Sequence, residues 1–346
     1  MKAKTIRETI ETKINEFALS IKNKELSEDV VDDCVVTGGC IASMFLKEEV
    51  NDYDMYFTNQ TTVFRLAVYY VNEMRKESSA PLSIRLTFSS PEGKESLVNK
   101  KIFETPENTT NDEGEDLRGD HWQDKMLVHA NSSILLIDKA TLSHYLSEVV
   151  RVEIFVSSSG LAEEDLDQHP ESGDSSEDKP KFRPVFLSSN AITLSDKIQL
   201  VIRFVGDAKE IHETYDFVHA TNYWTKSEGL VTNNEALEAL LSKELIYRGS
   251  KYPLASIFRT RKFIKRDWNI HVGNYVKMAM QLNEFDLTNL EVLEEQLTGV
   301  DALYLSSLIN AIKSKLKDSP TFEFNALYIC KLCDRMMGLR QEIEAE

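Results

Sequence analysis

Ile6, Ile10, Ile14, Phe17 and Ile21 recur every three or four positions, which places them on one stripe of an amphipathic helix over 4–22. The short apolar run Val35-Val36 follows and is cut by Gly38-Gly39. Residues 40–47 then read as a short helix, and Tyr53 to Phe57 alternate as a strand does. Further along, the pattern predicts a helix over Val63–Val71 and a strand over Leu82–Phe88. It predicts a polar loop over 104–120, strands at 125–129, 133–137 and 150–156, and a helix at 139–149. Lys197–Arg203 reads as a strand, Asp207–Glu213 as a helix and Tyr215–Ala220 as another strand. From about 233 to the end the apolar spacing is helical. The expectation is an α/β (α+β) head with a mixed sheet over 1–230, followed by an all-α C-terminal domain over 231–346.

With 346 residues, 42% hydrophobic and 28% charged, the chain is long enough for about two domains with ordinary cores. No apolar run approaches the roughly 20 residues a bilayer span needs, and the N-terminus leads into a helix and not a signal peptide. A cytoplasmic protein with no membrane partner is expected. The net charge of −17 argues against a general nucleic-acid coat protein, because a polyanion is repelled by the chain as a whole. Acid concentrates among Gly, Ser and Pro at about 161–180, a flexible excursion from the head. Cys34, Cys40, Cys330 and Cys333 are read as buried free thiols: one C-x-x-C without a second pair is a poor zinc signal. Composition says nothing of oligomeric state.

Four positions narrow the chemistry. Gly38-Gly39 lets a strand turn sharply and lets backbone N–H groups approach a phosphate with no Cβ in the way, and the helix that starts there offers its N-terminus to the same anion. Twelve residues lie between Gly39 and Asp52. In Asp52-Tyr53-Asp54 the period of a strand puts both carboxylates on one face, where they repel unless a divalent cation sits between them. The arrangement suits a magnesium–nucleoside triphosphate.

These residues resemble the head of the DNA polymerase beta-like nucleotidyltransferase superfamily: a hydrophobic position, Gly-Gly, about a dozen residues, then an acidic pair one residue apart. The spacing is similar to that of poly(A) polymerases and CCA-adding enzymes of the bacterial type. Where those carry Val-Arg-Asp after the glycines, this chain has Ile41, Ala42 and Ser43, and it lacks their Glu-Asp-x-x-Arg triplet. The resemblance implies a template-independent enzyme in which Gly38, Gly39 and Ser43 hold the triphosphate and Asp52 and Asp54 hold two Mg2+ ions. A hydroxyl acceptor, RNA above all, then displaces pyrophosphate. A protein hydroxyl as acceptor, or an inactive nucleotide- or RNA-binding head, are the alternatives.

Two-metal phosphoryl transfer calls for a third acid on a neighbouring strand. Asp216 is preferred over Glu153, whose neighbour Arg151 suggests a surface pair. The run from Ile198 to Asp216 also resembles uncharacterised nucleotidyltransferase-like proteins, several of them phage-encoded. One charge anomaly remains: Leu245–Arg266 holds seven basic residues and no acid. On a helix over 254–266, Arg259, Lys262 and Arg266 share a face suited to a triphosphate or an RNA backbone, with Arg261 elsewhere. Ser188-Ser189-Asn190 reads as a turn or cap.

Overall fold

The computed structural model describes residues 1–77, 82–88, 100–104, 125–130, 133–138, 149–156, 180–297, 312, 314 and 325–336. The chain divides into two compact units, one of Met1–Glu213 with Ala220–Asn233, the other of Thr214–His219 with Asn234–Glu346.

The first unit opens with helix α1 (Ala3–Ser20), whose Ile6, Ile10, Ile14 and Phe17 are buried as the periodicity requires. Helix α2 (Lys24–Asp33) follows, capped by the Asn23 side chain, which accepts from the Leu26 N–H at 2.9 Å. Strand β1 (Cys34–Thr37), helix α3 (Gly39–Leu46), strand β2 (Tyr53–Phe57) and helix α4 (Gln60–Glu77) come next. Arg65 of α4 is paired with Asp29 and Glu25 of α2. Then come β3 (Leu82–Phe88), β4 (Lys100–Glu104), β5 (Lys125–Ala130), β6 (Ser133–Asp138), β7 (Val149–Val156), β8 (Pro184–Leu187), β9 (Ala191–Leu194) and β10 (Ile198–Val205). Helix α5 (Ala208–Glu213), β11 (Tyr223–Thr225) and β12 (Gly229–Val231) complete the unit.

Seven strands form one mixed sheet in the order β12-β11-β1-β2-β10-β9-β8. Only β2 and β10 in it run parallel; its other pairs are antiparallel. Its two faces differ in kind. Cys34 and Val36, Met55 and Phe57, and Ile198, Leu200 and Ile202 join the apolar stripes of α1 and α4 in one core cluster, each large side chain contributing about 1.5–3 kcal/mol by leaving water. Strand alternation turns Thr37, Asp54 and Gln199 to the other face. Strands β3, β4 and β7 form a separate sheet, and β5 pairs with β6.

The protein is thus α+β with a mixed sheet, and α1, α3, α4, β3, β5, β6, β7, β10 and α5 lie where the pattern put them, within a few residues. The expectations for 105–120, 139–148 and 161–179 lie outside the described residues. The strand expected over 215–220 is not formed. Phe217 makes a single bridge to Tyr247, and a 3-10 turn covers Val218–Ala220. With no ladder beyond that bridge the segment coils, and Phe217, Val218 and His219 are all buried. Ser188 closes the β8–β9 turn, its Oγ accepting the Ala191 N–H at 3.0 Å. Cys34 and Cys40 are buried, but Cys330 is exposed, against expectation.

In the second unit the described elements are helices α6 (Asn234–Ser242), α7 (Pro253–Ile264), α8 (Val272–Leu282), α9 (Leu290–Gln296) and α10 (Ala326–Met336), with isolated bridges beside them. Leu254 and Phe258 of α7 pack with Leu293, Leu297, Ile312 and Ile329. A second cluster is aromatic: His219 lies 4.7 Å from Phe263 and 4.7 Å from Trp268, and stacks on Phe217 at 6.0 Å.

Candidate functional site

The turn between β1 and α3 is held from below by a buried polar cluster. Thr37 is wholly buried, and its Oγ1 lies 2.8 Å from His212 Nε2, 2.9 Å from the Asn222 carbonyl and 3.3 Å from the Ala220 carbonyl. A hydroxyl has one proton to give. With the Asn222 carbonyl the closer acceptor, Thr37 donates there and accepts from Nε2–H of His212, which assigns that tautomer to the buried imidazole. The His212 ring meets Tyr223 edge-on at 5.7 Å. Asn222 Oδ1 accepts the Asn233 N–H at 2.9 Å, while its Nδ2 finds no partner among the described residues.

Above this cluster the two glycines have different tasks. Gly38 has φ 90° and ψ −147°, a conformation essentially reserved for glycine, and its N–H donates to the Ala220 carbonyl at 3.2 Å. Gly39 opens α3, which has no side-chain cap at its N-terminus. A Cβ built on Gly39 would meet nothing within 4 Å. The helix therefore begins at open space, with its first amide donors and the positive end of its dipole directed there. Ser43, half-buried, lies one turn further along the same side of α3.

Asp52 immediately precedes β2 and Asp54 lies within it, half-buried. The Val36–Met55 pairing sets Thr37 beside Asp54 one step further along, and Gln199 of β10 lies directly opposite Asp54. Tyr223 pairs with Thr37 and Thr193 with Gln199. One polar row thus crosses five strands as Tyr223, Thr37, Asp54, Gln199, Thr193. Asp52 is exposed, yet desolvation by the chain around it raises its pKa, opposed by the charge of Lys197, which itself holds Glu49 Oε1 at 2.7 Å and the Val50 carbonyl at 3.0 Å. Burial first, and the charge of Asp54 second, push the Cys40 thiol far above its ordinary range, so Cys40 is inert packing beneath the turn and not a nucleophile.

A shallow cleft of about 410 Å³ runs along α1, lined by Thr5, Thr9, Thr12, Lys13, Glu16 and Tyr53. It is not part of this site. Tyr53 alternates with Asp54 and points through the opposite face of the sheet, where Lys13 Nζ sits 5.6 Å from its ring centroid.

The remaining expected residues fall elsewhere. Asp216 is off any strand and belongs to the second unit, where its Oδ2 accepts from Arg259 Nη1 at 2.6 Å. Its partner Arg259 is itself one of the three cations assigned to phosphate. Helix α7 stops at Ile264, so Arg266 lies in the turn beyond it, 5.8 Å from the Phe263 ring, and shares no helix face with Arg259 and Lys262. Lys262 is exposed. Glu153 lies on β7, in the separate sheet, where the backbone register sets it opposite Arg85 of β3.

Asp54, on the polar face beside an uncapped helix start, and Asp52, two residues before it in the chain, are of a kind that fits Mg2+, which is commonly bound through one or two carboxylates plus substrate phosphates. Among the described residues no group of three or more His, Cys, Asp or Glu is placed to hold a metal, and no helix is long and apolar enough to cross a membrane. Sequence reasoning missed Thr37 and Gln199, which the strand register brings to this face, and His212 of α5, which meets Thr37 beneath the turn.

Fold and site together define an α+β protein whose mixed sheet carries a polar row beside a glycine turn. The chain belongs to the Gabija anti-defense 2 family (Gad2), whose family profile matches residues 8–243. That span contains Gly38, Gly39, Asp52, Asp54, Gln199 and Asp216 and stops short of α7. No curated protein and no solved structure matches the chain.

Proposed function

We propose that the protein is a metal-dependent nucleotidyltransferase, moving a nucleoside monophosphate from a triphosphate to a hydroxyl acceptor. The observation that carries this reading is the open, uncapped start of α3 at Gly39 next to the strand bearing Asp52 and Asp54. Gly39 and the first amides of α3 receive a phosphate, Ser43 adds a hydroxyl donor, and the two aspartates hold Mg2+. The cation, when bound, supplies neutralisation of the phosphate charge that would repel an incoming oxygen. The acceptor oxygen forms its bond to the α-phosphorus as the α–β bridge breaks, pyrophosphate departs, and the hydroxyl proton passes to water. Lys197, tied to Glu49 and Val50, fixes the loop that delivers Asp52.

RNA as acceptor follows from the resemblance, and of the basic residues that could hold its backbone Arg259 is engaged by Asp216 and Arg266 lies past the helix end. A protein hydroxyl is the second reading, and the family favours it: a family named for anti-defence against Gabija suits modification of a component of that defence. Incubating the purified chain with each α-labelled triphosphate, Mg2+, and either total RNA or the proteins of a Gabija-bearing lysate tests both readings. Label in one pool, lost with Asp54→Asn, names the acceptor. Label in neither leaves an inactive nucleotide-binding head and sinks the enzyme.

A further inference from the structure

We infer that the Asp52–Asp54 face holds one divalent cation and not two, and that Gln199 occupies the position from which a ligand for a second would come. This rests on the nucleotidyltransferase reading above. Strand β2 lies between β1 and β10 in the sheet, so a second cation beside Asp54 would need an anionic ligand from one of those flanks. The triphosphate supplies oxygens to an ion held against its own phosphates, whereas an ion placed to meet the acceptor oxygen needs a further protein carboxylate, because Mg2+ gives up water reluctantly unless carboxylate or phosphate oxygen replaces it. On the β1 flank stands Thr37, whose hydroxyl is already committed to the Asn222 carbonyl and to His212. On the β10 flank, directly opposite Asp54, stands Gln199. The next residue of β10 on that face is Val201, and beyond Gln199 in the same row comes Thr193. None of Thr37, Gln199, Val201 and Thr193 is a carboxylate, and the charge that follows on that face of β10, Arg203, is a cation that donates to Asn190 Oδ1.

A glutamine has the length of a glutamate with its charge removed and two N–H donors added. Gln199 therefore offers hydrogen bonds to oxygens of the substrate from the place where a carboxylate would bind metal. The site is built to clamp a single Mg2+–triphosphate, with the acceptor hydroxyl activated by position and not by a second ion.

The test counts Mn2+ bound to the full-length chain in the presence of α,β-methylene ATP, by loss of the free-ion paramagnetic signal. Wild type takes up one ion per chain, Gln199→Ala still one, and Gln199→Glu two; circular dichroism checks that each variant is folded. Two ions on wild type overturn the inference and leave the nucleotidyltransferase reading standing. A folded Gln199→Glu chain that stays at one ion overturns the assigned place of Gln199. No uptake by wild type, or uptake that Asp54→Asn does not diminish, overturns the reading underneath and the inference with it.

Discussion

Thr37 and His212, 175 residues apart in sequence, meet at 2.8 Å beneath the glycine turn, both buried. Through Thr37 the last residue of β1 is tied to α5 and to the segment 220–222 that also receives the Gly38 N–H. The turn is thus shaped by a chain segment that the N-terminal sequence does not contain.

Thr37→Val removes the acceptor of a buried imidazole N–H and should destabilise the first unit by about 1–3 kcal/mol in urea unfolding. In a His212→Phe background the same change should cost less, because no donor is left stranded. Strict additivity of the two would show that they do not share a hydrogen bond.

The two glycines should separate cleanly. Gly38→Ala forces an L-residue to φ 90° and should cost about 1–3 kcal/mol of stability. Gly39→Ala meets no atom within 4 Å and sits in a helix, so stability should hold or rise by up to about 1 kcal/mol. Its nucleotide affinity should nevertheless fall, since the methyl group occupies the open approach to the helix amides. Undiminished affinity in calorimetry would move the phosphate away from this turn.

Asp52→Asn and Asp54→Asn should each leave the melting temperature within a few degrees of wild type and reduce labelled transfer at least about 100-fold, the loss expected when a metal is no longer held against the developing charge. Either variant turning over at near wild-type rate would refute the site.

Much of this was readable from periodicity. The stripe of Ile6, Ile10, Ile14 and Phe17 specifies α1 with no tertiary information, and Gly38-Gly39 followed by Asp52-x-Asp54 marks the turn and the acidic strand. Helix α2 was not readable, because only Leu26 and Val30 of its ten residues are buried and too few apolar positions remain to show a period. The region 215–220 misled for the opposite reason: three successive buried side chains look like a strand until the backbone is seen to coil around them. Register is the larger gap. That Gln199 and not an acid faces Asp54 depends on which strand pairs with β2, and Asp216 was preferred because an aromatic–Asp run looks the same whether its carboxylate meets a cation or an arginine.

The Asp216–Arg259 pair gives a prediction of its own. Asp216 is 13% exposed and Arg259 34% at the side chain, so the pair is partly shielded and leaving one charge unpartnered is unfavourable. Asp216→Asn and Arg259→Gln should each lower the stability of the second unit by about 1–2 kcal/mol, and the double variant should lose less than the sum. Independent losses would show that the contact contributes nothing.

The last prediction concerns His219. Burial among Phe217, Phe263 and Trp268 holds its pKa at about 4, with the negative charge of Asp216 opposing and that of Arg266 adding to the depression. Nδ1 finds no partner among the described residues, so a proton there would sit in an aromatic box without an acceptor. In the unfolded chain the ring titrates near 6.5. Between pH 6.5 and 4 the unfolded state therefore binds a proton that the folded state refuses, and stability falls as the pH drops through that window. At pH 4.5 the loss attributable to this one residue is about 2 kcal/mol relative to pH 7. His219→Phe keeps the ring in the box and abolishes the titration, so the difference in unfolding free energy between pH 7 and pH 4.5 should shrink by about that amount. Denaturant titrations followed by tryptophan fluorescence at the two pH values decide the matter: if wild type and His219→Phe lose equal stability on acidification, the imidazole is not the group that titrates.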